Sequence, residues 1–370
     1  MMTSSPTTPT LLAARHADNS DPGRDPTLTV HPLRVPARVR PEDTANTTLP
    51  AFLLAIMARN HLSLEERDVL VVTSKLASLF EGRTVPLSWI HPGRKARWLS
   101  RIFGKDPRKL QLLMEEGRVL LVVPMKRITR IPSVWKRLRD LSANHAAMRA
   151  GFDSTNAFTF ITRKHAVYMD EAGIDHANAP EGFVSLLPTD PCRTADRLRA
   201  DLERMTGRSL AVVITDTTTT VGRLGCQDIA VGYAGIDPVS AGMFREDLFG
   251  VPRSGGTQIV IDSIAAIAGL AMGQSDHLTP MAVIRGISYS PTSEAGPRTV
   301  PVMDTLSWPD DARTRMVMWT LLTTAWFHIA NAFTFSRRPK PTGRTFDPHR
   351  RDDDDSTRSA DADGSDGDIS

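Results

Sequence analysis

Cysteine and tyrosine are scarce in this chain of 370 residues, which contains two cysteines and three tyrosines. Two cysteines, Cys192 and Cys226, are too few for a disulfide framework and lack the spacing of a metal finger, so they predict a reducing, cytoplasmic setting. The chain also lacks a Walker loop, a dinucleotide glycine fingerprint, a nucleophile elbow and a His-Glu-x-x-His motif. With 41% hydrophobic and 24% charged residues, the composition is that of a globular protein of two or three domains.

The net charge of +3 hides an asymmetry between the tail and the rest of the chain. Residues 351–370 contain eight Asp and two Arg, so the preceding 350 residues carry a net charge of +9. A tail with almost nothing apolar to bury is predicted to be disordered. The basic residues of the body are spread along the chain and are not interleaved with aromatics, so we expect no nucleic acid as a partner.

The two ends of the chain raise the question of targeting and membrane contact. The Thr-, Ser- and Pro-rich residues 1–30 have no signal-peptide pattern and are predicted to form a disordered leader. Residues 316–335 are long and apolar enough to be weighed as a membrane span, but they include four Thr, one His and one Asn. A buried or interface helix is therefore favoured over membrane contact.

Apolar runs alternate with helical patterns from residue 31 to about residue 287, which predicts an α/β (α+β) fold of mixed sheets with flanking helices. We expect four domains or segments: a disordered leader (1–30), an α/β domain (31–287), a linker with a C-terminal hydrophobic helix (288–338) and a disordered acidic tail (339–370). The predicted strands are 68–73, 118–124, 209–215 and 259–261. The predicted helices include 194–202 and 263–270, the second capped by Asp262.

Two short acidic segments at the ends of apolar runs are predicted to be loops and are the strongest chemical signals. One contains Asp175 and the other contains Asp216 and Thr217. An Asp directly after a buried strand lies at the carboxyl edge of the sheet, where open α/β folds bind ligands. Carboxylate and hydroxyl oxygens suit Mg²⁺ or Mn²⁺, although each Asp could equally cap a turn.

A collinear set of short motifs extends over residues 31–287 and resembles the F420 γ-glutamyl ligase family. The matching segments are 71–75, 81–83, 106–108, 172–178, 186–191, 214–217, 229–236, 247–250, 272–274 and 283–286. The resemblance implies GTP-dependent ligation of L-glutamate to the carboxylate of F420-0, a phosphorylated small molecule. The γ-phosphate would first convert that carboxylate to an acyl phosphate, which the glutamate amine then attacks. The family also implies Mg²⁺ or Mn²⁺, with K⁺ as a further cofactor, and a homodimer.

The resemblance also assigns roles to individual residues. Metal ligands match Asp175, Asp216 and Thr217, and nucleotide contacts match three residues, namely Pro36, Ser74 and Asn178. Arg223 keeps its place in the substrate segment and is the predicted catalytic residue, because its guanidinium can bind a carboxylate or phosphate in a two-pronged contact.

Two departures from the family pattern keep other functions open. Leu79 stands where the family has a nucleotide-contacting lysine, and Lys75 is expected to point elsewhere. After Thr217 the family's Gly-Arg-Pro-Trp is lost, so the substrate contacts differ. The alternatives are a ligase acting on another acceptor, such as a folate-like compound, and a non-catalytic nucleotide-binding paralogue.

Overall fold

The computed structural model describes residues 27–154, 158–165, 167–219, 225–240, 242–289 and 291. Four predicted features lie outside these residues: most of the leader, the segment 292–338 in which a hydrophobic helix is predicted, the acidic tail and Arg223. Within the described part of the chain, no helix has the length and apolarity needed to cross a membrane.

A five-stranded mixed sheet forms the centre of the domain, in the order β1-β10-β2-β8-β9. Its strands are β1 (Thr29–Leu33), β2 (Val69–Thr73), β8 (Ala211–Thr219), β9 (Cys226–Ala234) and β10 (Met281–Arg285). Strands β2 and β8 are parallel, with Thr73 opposite Thr215, and the other neighbouring pairs of this sheet are antiparallel. The aliphatic residues 69–72 of β2 are fully buried, which is the pattern of a strand covered on both faces.

Three helices pack against this sheet and supply most of its apolar cover: α1 (Leu49–Arg59), α8 (Pro191–Thr206) and α9 (Val260–Met272). In α8, Asp190 caps the first turn, Leu198 and Leu202 face the core, and Gly207 ends the helix in a left-handed conformation. The prediction of a helix over 194–202 is confirmed.

The predicted strand at 259–261 is wrong, because helix α9 already begins at Val260. Its buried positions, which include Ile261, Ile264 and Ala268, recur with helical spacing, and this longer period outweighs a short β-branched run. Asp262 does not cap the helix. Its carboxylate instead accepts a hydrogen bond of 3.0 Å from the amide of Ala230 in β9.

Two smaller sheets and the remaining helices complete the described fold. Strands β3 (Thr84–Pro86) and β7 (Phe183–Ser185) pair with each other, and β4 (Arg118–Val123), β5 (Thr159–Lys164) and β6 (Val167–Asp170) form a three-stranded sheet. The helices are α2 (Ser74–Phe80), α3 (Arg94–Phe103), α4 (Pro107–Glu116), α5 (Met125–Ile128), α6 (Pro132–Leu141) and α7 (His145–Ser154). The predicted class of mixed sheets with flanking helices is therefore confirmed.

Candidate active site

The site begins where the parallel strands β2 and β8 run side by side. Strand β2 passes directly into α2 at Ser74, and the neighbouring strand places Asp216 beside it. The Ser74 hydroxyl and the Thr217 amide both hydrogen-bond to the Asp216 carboxylate. Asp216 is only 8% exposed, so its carboxylate depends on these local donors for hydrogen bonds.

The threonine run that follows Asp216 is a strand and not the loop expected from its sequence. Strand β8 continues through Thr219, with Thr217 opposite Asp228 and Thr219 opposite Cys226 on β9. Threonine is β-branched and favours extended pairing, which explains why the polar run does not break the strand.

Asp175 reaches the site on a strained turn. Glu171, Ala172 and Gly173 are consecutive left-handed residues with φ of +53°, +57° and +67°. A Cβ at Gly173 would lie 2.8 Å from Leu187 Cγ, so this position requires glycine on both conformational and steric grounds. Directly after the turn, Asp175 and Ser185 exchange two backbone hydrogen bonds, of 2.9 and 2.8 Å. Backbone strain of this kind is concentrated at functional sites.

Lys75 lies among the predicted metal ligands. Its Nζ is 2.6 Å from Asp175 Oδ2, and its charge also interacts with Asp216 and Asp228. Burial by itself would lower the pKa of Lys75, but Asp175 and the two other carboxylates raise it above its usual value. The expectation that Lys75 points elsewhere is therefore wrong. Asp175 forms an ion pair with Lys75, and Asp216 is near enough for its charge to interact with both, although 41 positions separate the two aspartates in the sequence.

Leu79 lies four residues after Lys75 on α2, so the two residues share one side of the helix. It is half-buried, whereas its neighbours Ala77 and Ser78 are fully buried. The position that the family fills with lysine therefore faces in the same general direction as Lys75.

A second layer of polar side chains surrounds Thr217. The Thr217 hydroxyl is 3.0 Å from Asp228 Oδ1 and 2.9 Å from Gln274 Oε1, and Gln274 Nε2 donates to Asp228 Oδ1 at 2.7 Å. Helix α9 approaches closely here. A Cβ at Gly269 would lie 2.3 Å from Asp228 Oδ2, so only glycine fits without displacing the carboxylate.

Asp228 and Gln274 are functional candidates that sequence reasoning missed. Gln274 lies in a family-like segment, but no role was assigned to it. Asp228 precedes the apolar residues Ile229, Ala230 and Val231 in β9 and is itself buried, with 6% exposure. An acidic residue that enters a buried strand was the available signal.

The predicted nucleotide-contacting residues fall into two groups. Ser74 is buried beside Asp216, whereas Asn178 and Pro36 are exposed on loops. The Asn178 side-chain amide donates to the Ser275 carbonyl at 3.2 Å, and the Val35 amide, next to Pro36, donates to the Leu278 carbonyl at 2.8 Å. Asn178 and the residue before Pro36 are thus hydrogen-bonded to the 273–280 loop. Arg223 lies outside the described residues.

Asp216 is the electrostatic centre of the site. Burial raises the pKa of its carboxyl to about 7, and the nearby Asp175 adds to the effect. Lys75, the Thr217 amide and the Ser74 hydroxyl oppose this rise without cancelling it. A buried carboxylate with too little positive charge around it is stabilised by any cation that binds there.

The oxygen atoms at this edge fit a hard divalent cation. Among the described residues, no three His, Cys, Asp or Glu side chains are close enough together to enclose a metal ion. Mg²⁺ does not need such a cage, because it commonly binds one or two carboxylates, several waters and the phosphates of a substrate. Asp175 and Asp216 are two carboxylates suited to such a site, whereas the Thr217 hydroxyl bonds to Asp228 and Gln274.

The comparison with protein families defines the class of protein. The model of the family described as F420-0:Gamma-glutamyl ligase matches residues 40–286. The chain therefore belongs to this family, which confirms the resemblance and the prediction that the protein is a ligase.

Individual relatives extend over most of the same region. The coenzyme F420:L-glutamate ligase of Methanopyrus kandleri is 30% identical over 274 residues, which cover 74% of this chain and 92% of the relative. The protein of that name from Methanothermobacter thermautotrophicus is 30% identical over 66% of this chain and 85% of its own. That of Archaeoglobus fulgidus is 30% identical over 64% and 82%.

Proposed function

We propose that the protein uses GTP and Mg²⁺ or Mn²⁺ to join L-glutamate to the carboxylate of F420-0 through an acyl phosphate. The observation that carries this proposal is the buried, cation-deficient Asp216, which lies near Asp175 and accepts hydrogen bonds from the Ser74 hydroxyl and the Thr217 amide. Family membership supplies the reaction type and the substrates named for the relatives.

The chemistry requires one phosphoryl transfer and one acyl transfer. An oxygen of the acceptor carboxylate attacks the γ-phosphorus of GTP, and the bond to the β-phosphate oxygen breaks, which releases GDP. The glutamate amine then attacks the acyl carbon, loses a proton to solvent and displaces phosphate. A bound divalent cation neutralises the triphosphate and the charge that moves during transfer.

The chain's own residues position this chemistry. Asp175 and Asp216 hold negative charge at the sheet edge, and the hydrogen bonds from Ser74 and the Thr217 amide fix the Asp216 carboxylate. Lys75, which pairs with Asp175, would bind a phosphate of a nucleotide held at this edge in exchange for that carboxylate. The 273–280 loop, held by Asn178 and Val35, forms a neighbouring wall.

The homodimer is part of the proposal, and an exposed apolar turn supports it. Leu248 and Phe249 are 100% and 91% exposed, on a turn that Glu246 and Pro252 close through a β-bridge. Two fully exposed large apolar side chains are typical of an interface. We expect light scattering to give the mass of a dimer for the wild type and of a monomer for L248S/F249S.

Two free thiols, the half-buried Cys192 and the exposed Cys226, support the cytoplasmic compartment proposed for this protein. Reduced and oxidised samples should consequently differ little in melting temperature, whereas a disulfide-dependent fold would lose stability on reduction.

The decisive test uses F420-0 labelled with ¹⁸O in its carboxylate. With GTP, Mn²⁺ and L-glutamate, we expect a product that has gained one glutamyl group. We also expect the released phosphate to contain one ¹⁸O atom. Ligation without ¹⁸O transfer would contradict the acyl phosphate. Parallel reactions in K⁺ and Na⁺ test the alkali cation.

The same assay separates the other functions left open by the sequence. Transfer of glutamate to a folate and not to F420-0 would show that the protein is a ligase for a different acceptor. GTP binding without ligation to either acceptor would identify a non-catalytic nucleotide-binding protein.

A further inference from the structure

A basic cleft of about 610 Å³ lies on the three-stranded sheet, between the start of β4 and the end of β5. Four cationic and two acidic side chains line it: Arg83, Arg118, Arg163, Lys164, Glu115 and Glu116. The excess of positive charge makes the cleft suited to an anionic ligand.

The inner wall is built around Glu116. Its Oε2 accepts a hydrogen bond of 2.8 Å from Arg83 Nη2 and a second from Lys164 Nζ. Arg83 is held further by a hydrogen bond of 3.0 Å from its Nε to the Leu187 carbonyl. One carboxylate cannot neutralise two cations, so the rigid inner wall retains a net positive charge.

The rim carries two like charges in direct opposition. Arg118 on β4 and Arg163 on β5 are partners in the antiparallel register, and both line the cleft. An anion bound between the two guanidinium groups can accept a charge-assisted contact from each of them.

His165 adds a polar group at the same place. It lines the cleft with a left-handed φ of +50°, and its buried Nε2 has no hydrogen-bond partner within the part of the chain that the structure describes. A buried polar atom without a partner costs free energy that a ligand oxygen or hydroxyl can recover.

The cleft lies close to the carboxylate edge. Lys164 is near enough for its charge to interact with Asp216, and the Thr218 hydroxyl of β8 donates to the Tyr168 carbonyl of β6 at 2.9 Å. A ligand bound at the Asp216 edge can therefore extend towards Lys164 and the cleft that Lys164 lines.

We propose that this cleft binds the phosphate group of the acceptor while the acceptor's carboxylate reacts at the Asp216 edge. The inference rests on the proposed function, because it assigns the second anionic group of the same substrate. Arg118 and Arg163 determine acceptor specificity and take no part in the transfer of the γ-phosphate.

The test replaces the rim arginines one at a time and together, as R118Q, R163Q and R118Q/R163Q. Arg137, an exposed arginine on α6 that does not line the cleft, provides the matched control R137Q. We expect the KM for F420-0 to rise at least tenfold in the double variant. The KM values of the double variant for GTP and glutamate should stay within twofold of those of the wild type. The KM values of R137Q for F420-0, GTP and glutamate should also stay within twofold.

A direct binding measurement separates this inference from the proposed function. Calorimetry with 2-phosphoglycerate, a small molecule that carries a carboxylate beside a phosphate, should detect binding to the wild type and R137Q and none to the double variant. If the wild type lacks ligase activity, the proposed function fails. Binding of 2-phosphoglycerate to the wild type but not to the double variant would still support the cleft as an anion-binding site.

Two results would overturn the proposal that the cleft binds the acceptor's phosphate. One is an active double variant with an unchanged KM for F420-0. The other is 2-phosphoglycerate binding that is absent from the wild type or equal in all variants. Should the double variant fail to fold, the single variant at the exposed Arg118 decides by the same criteria.

Discussion

Asp216 and Glu116 are both largely buried carboxylates, but their surroundings shift their pKa values in opposite directions. Burial by itself would raise the pKa of Glu116, yet the contacts from Lys164 and Arg83 outweigh burial and lower it below its usual value. At Asp216 burial prevails and raises the pKa to about 7, because Lys75 is the main nearby cation and Asp175 adds a second negative charge. The first environment is complete within the protein, whereas the second has room for an external cation.

This comparison separates a carboxylate that protein cations neutralise from a carboxylate that protein cations do not neutralise. Glu116 joins α4 to β5 and to the segment before β3, and its charge is satisfied by protein groups. Ser74 and Thr217 hold the Asp216 carboxylate by hydrogen bonds, whereas burial raises its pKa to about 7, so a bound cation can take the place of a proton there. Perturbed carboxyl groups in a polar cluster are typical of active sites.

The largest expected effect is the loss of activity in D216N. Removing this charge should reduce glutamate ligation by a factor on the order of 10³, comparable with the loss of a key electrostatic contact in other enzymes. The free energy of unfolding at pH 8 should stay the same or increase, because a buried charge has been removed. Initial rates and urea unfolding measure the two effects.

The exposed Asp140 on α6 supplies the matched control D140N, which should behave like the wild type in both measurements. A fully active D216N would end the assignment of Asp216 as a metal ligand.

Glu116 should show the reverse combination. E116Q leaves Lys164 and Arg83 without their carboxylate, and we expect the free energy of unfolding to fall by about 3 kcal/mol. The neighbouring, exposed Glu115 gives the control E115Q, for which little change is expected. Equal stability of E116Q and E115Q in urea titrations would contradict the structural role of the cluster.

The two carboxyls should also respond to pH with opposite signs. Between about pH 4 and 7 the folded protein keeps a proton on Asp216 that the unfolded chain has lost, so this group's stabilising contribution declines as pH rises. Glu116, whose pKa is lowered, contributes stability above its unfolded pKa and loses it as pH falls.

Urea unfolding of the wild type and D216N at several pH values measures the Asp216 contribution as a difference of about 2–4 kcal/mol that develops between pH 4 and 7. Saturating Mn²⁺ should reduce that difference, because the metal takes the place of the proton. A difference that does not vary with pH would show that the Asp216 pKa is not raised.

The smallest effect is expected for L79K, which places a second cation near Asp216, just as Glu116 has two cations beside it. In L79K the new ammonium lies on the same side of α2 as Lys75, at a half-buried position that does not require an apolar group. One added phosphate contact should tighten GTP binding by about 1–2 kcal/mol, measured by calorimetry with Mn²⁺.

L79M retains an apolar side chain of similar size and is the matched control. If both variants fold and bind GTP equally, the position does not reach the phosphates, and Lys75 or Arg83 serves them instead.

The local hydrophobic pattern was sufficient to predict the strands and helices in which buried positions recur at regular spacing. The aliphatic runs of β2 and β8 and the four-residue spacing of Leu198 and Leu202 in α8 predicted their structures, because side-chain periodicity reflects which face is buried. The same reasoning was wrong at 259–261, where three apolar residues were too few to distinguish a strand from the first turn of α9.

Family-like motifs predicted Asp175, Asp216 and Thr217, since each lies in a short segment that can be recognised without its neighbours. Only the tertiary structure decided which charges meet. Lys75 pairs with Asp175 across 100 positions, Asp228 enters the site through its register with Thr217, and Arg118 faces Arg163 across paired strands. Electrostatic energy depends on distance and burial in space, and the order of residues along the chain encodes neither directly.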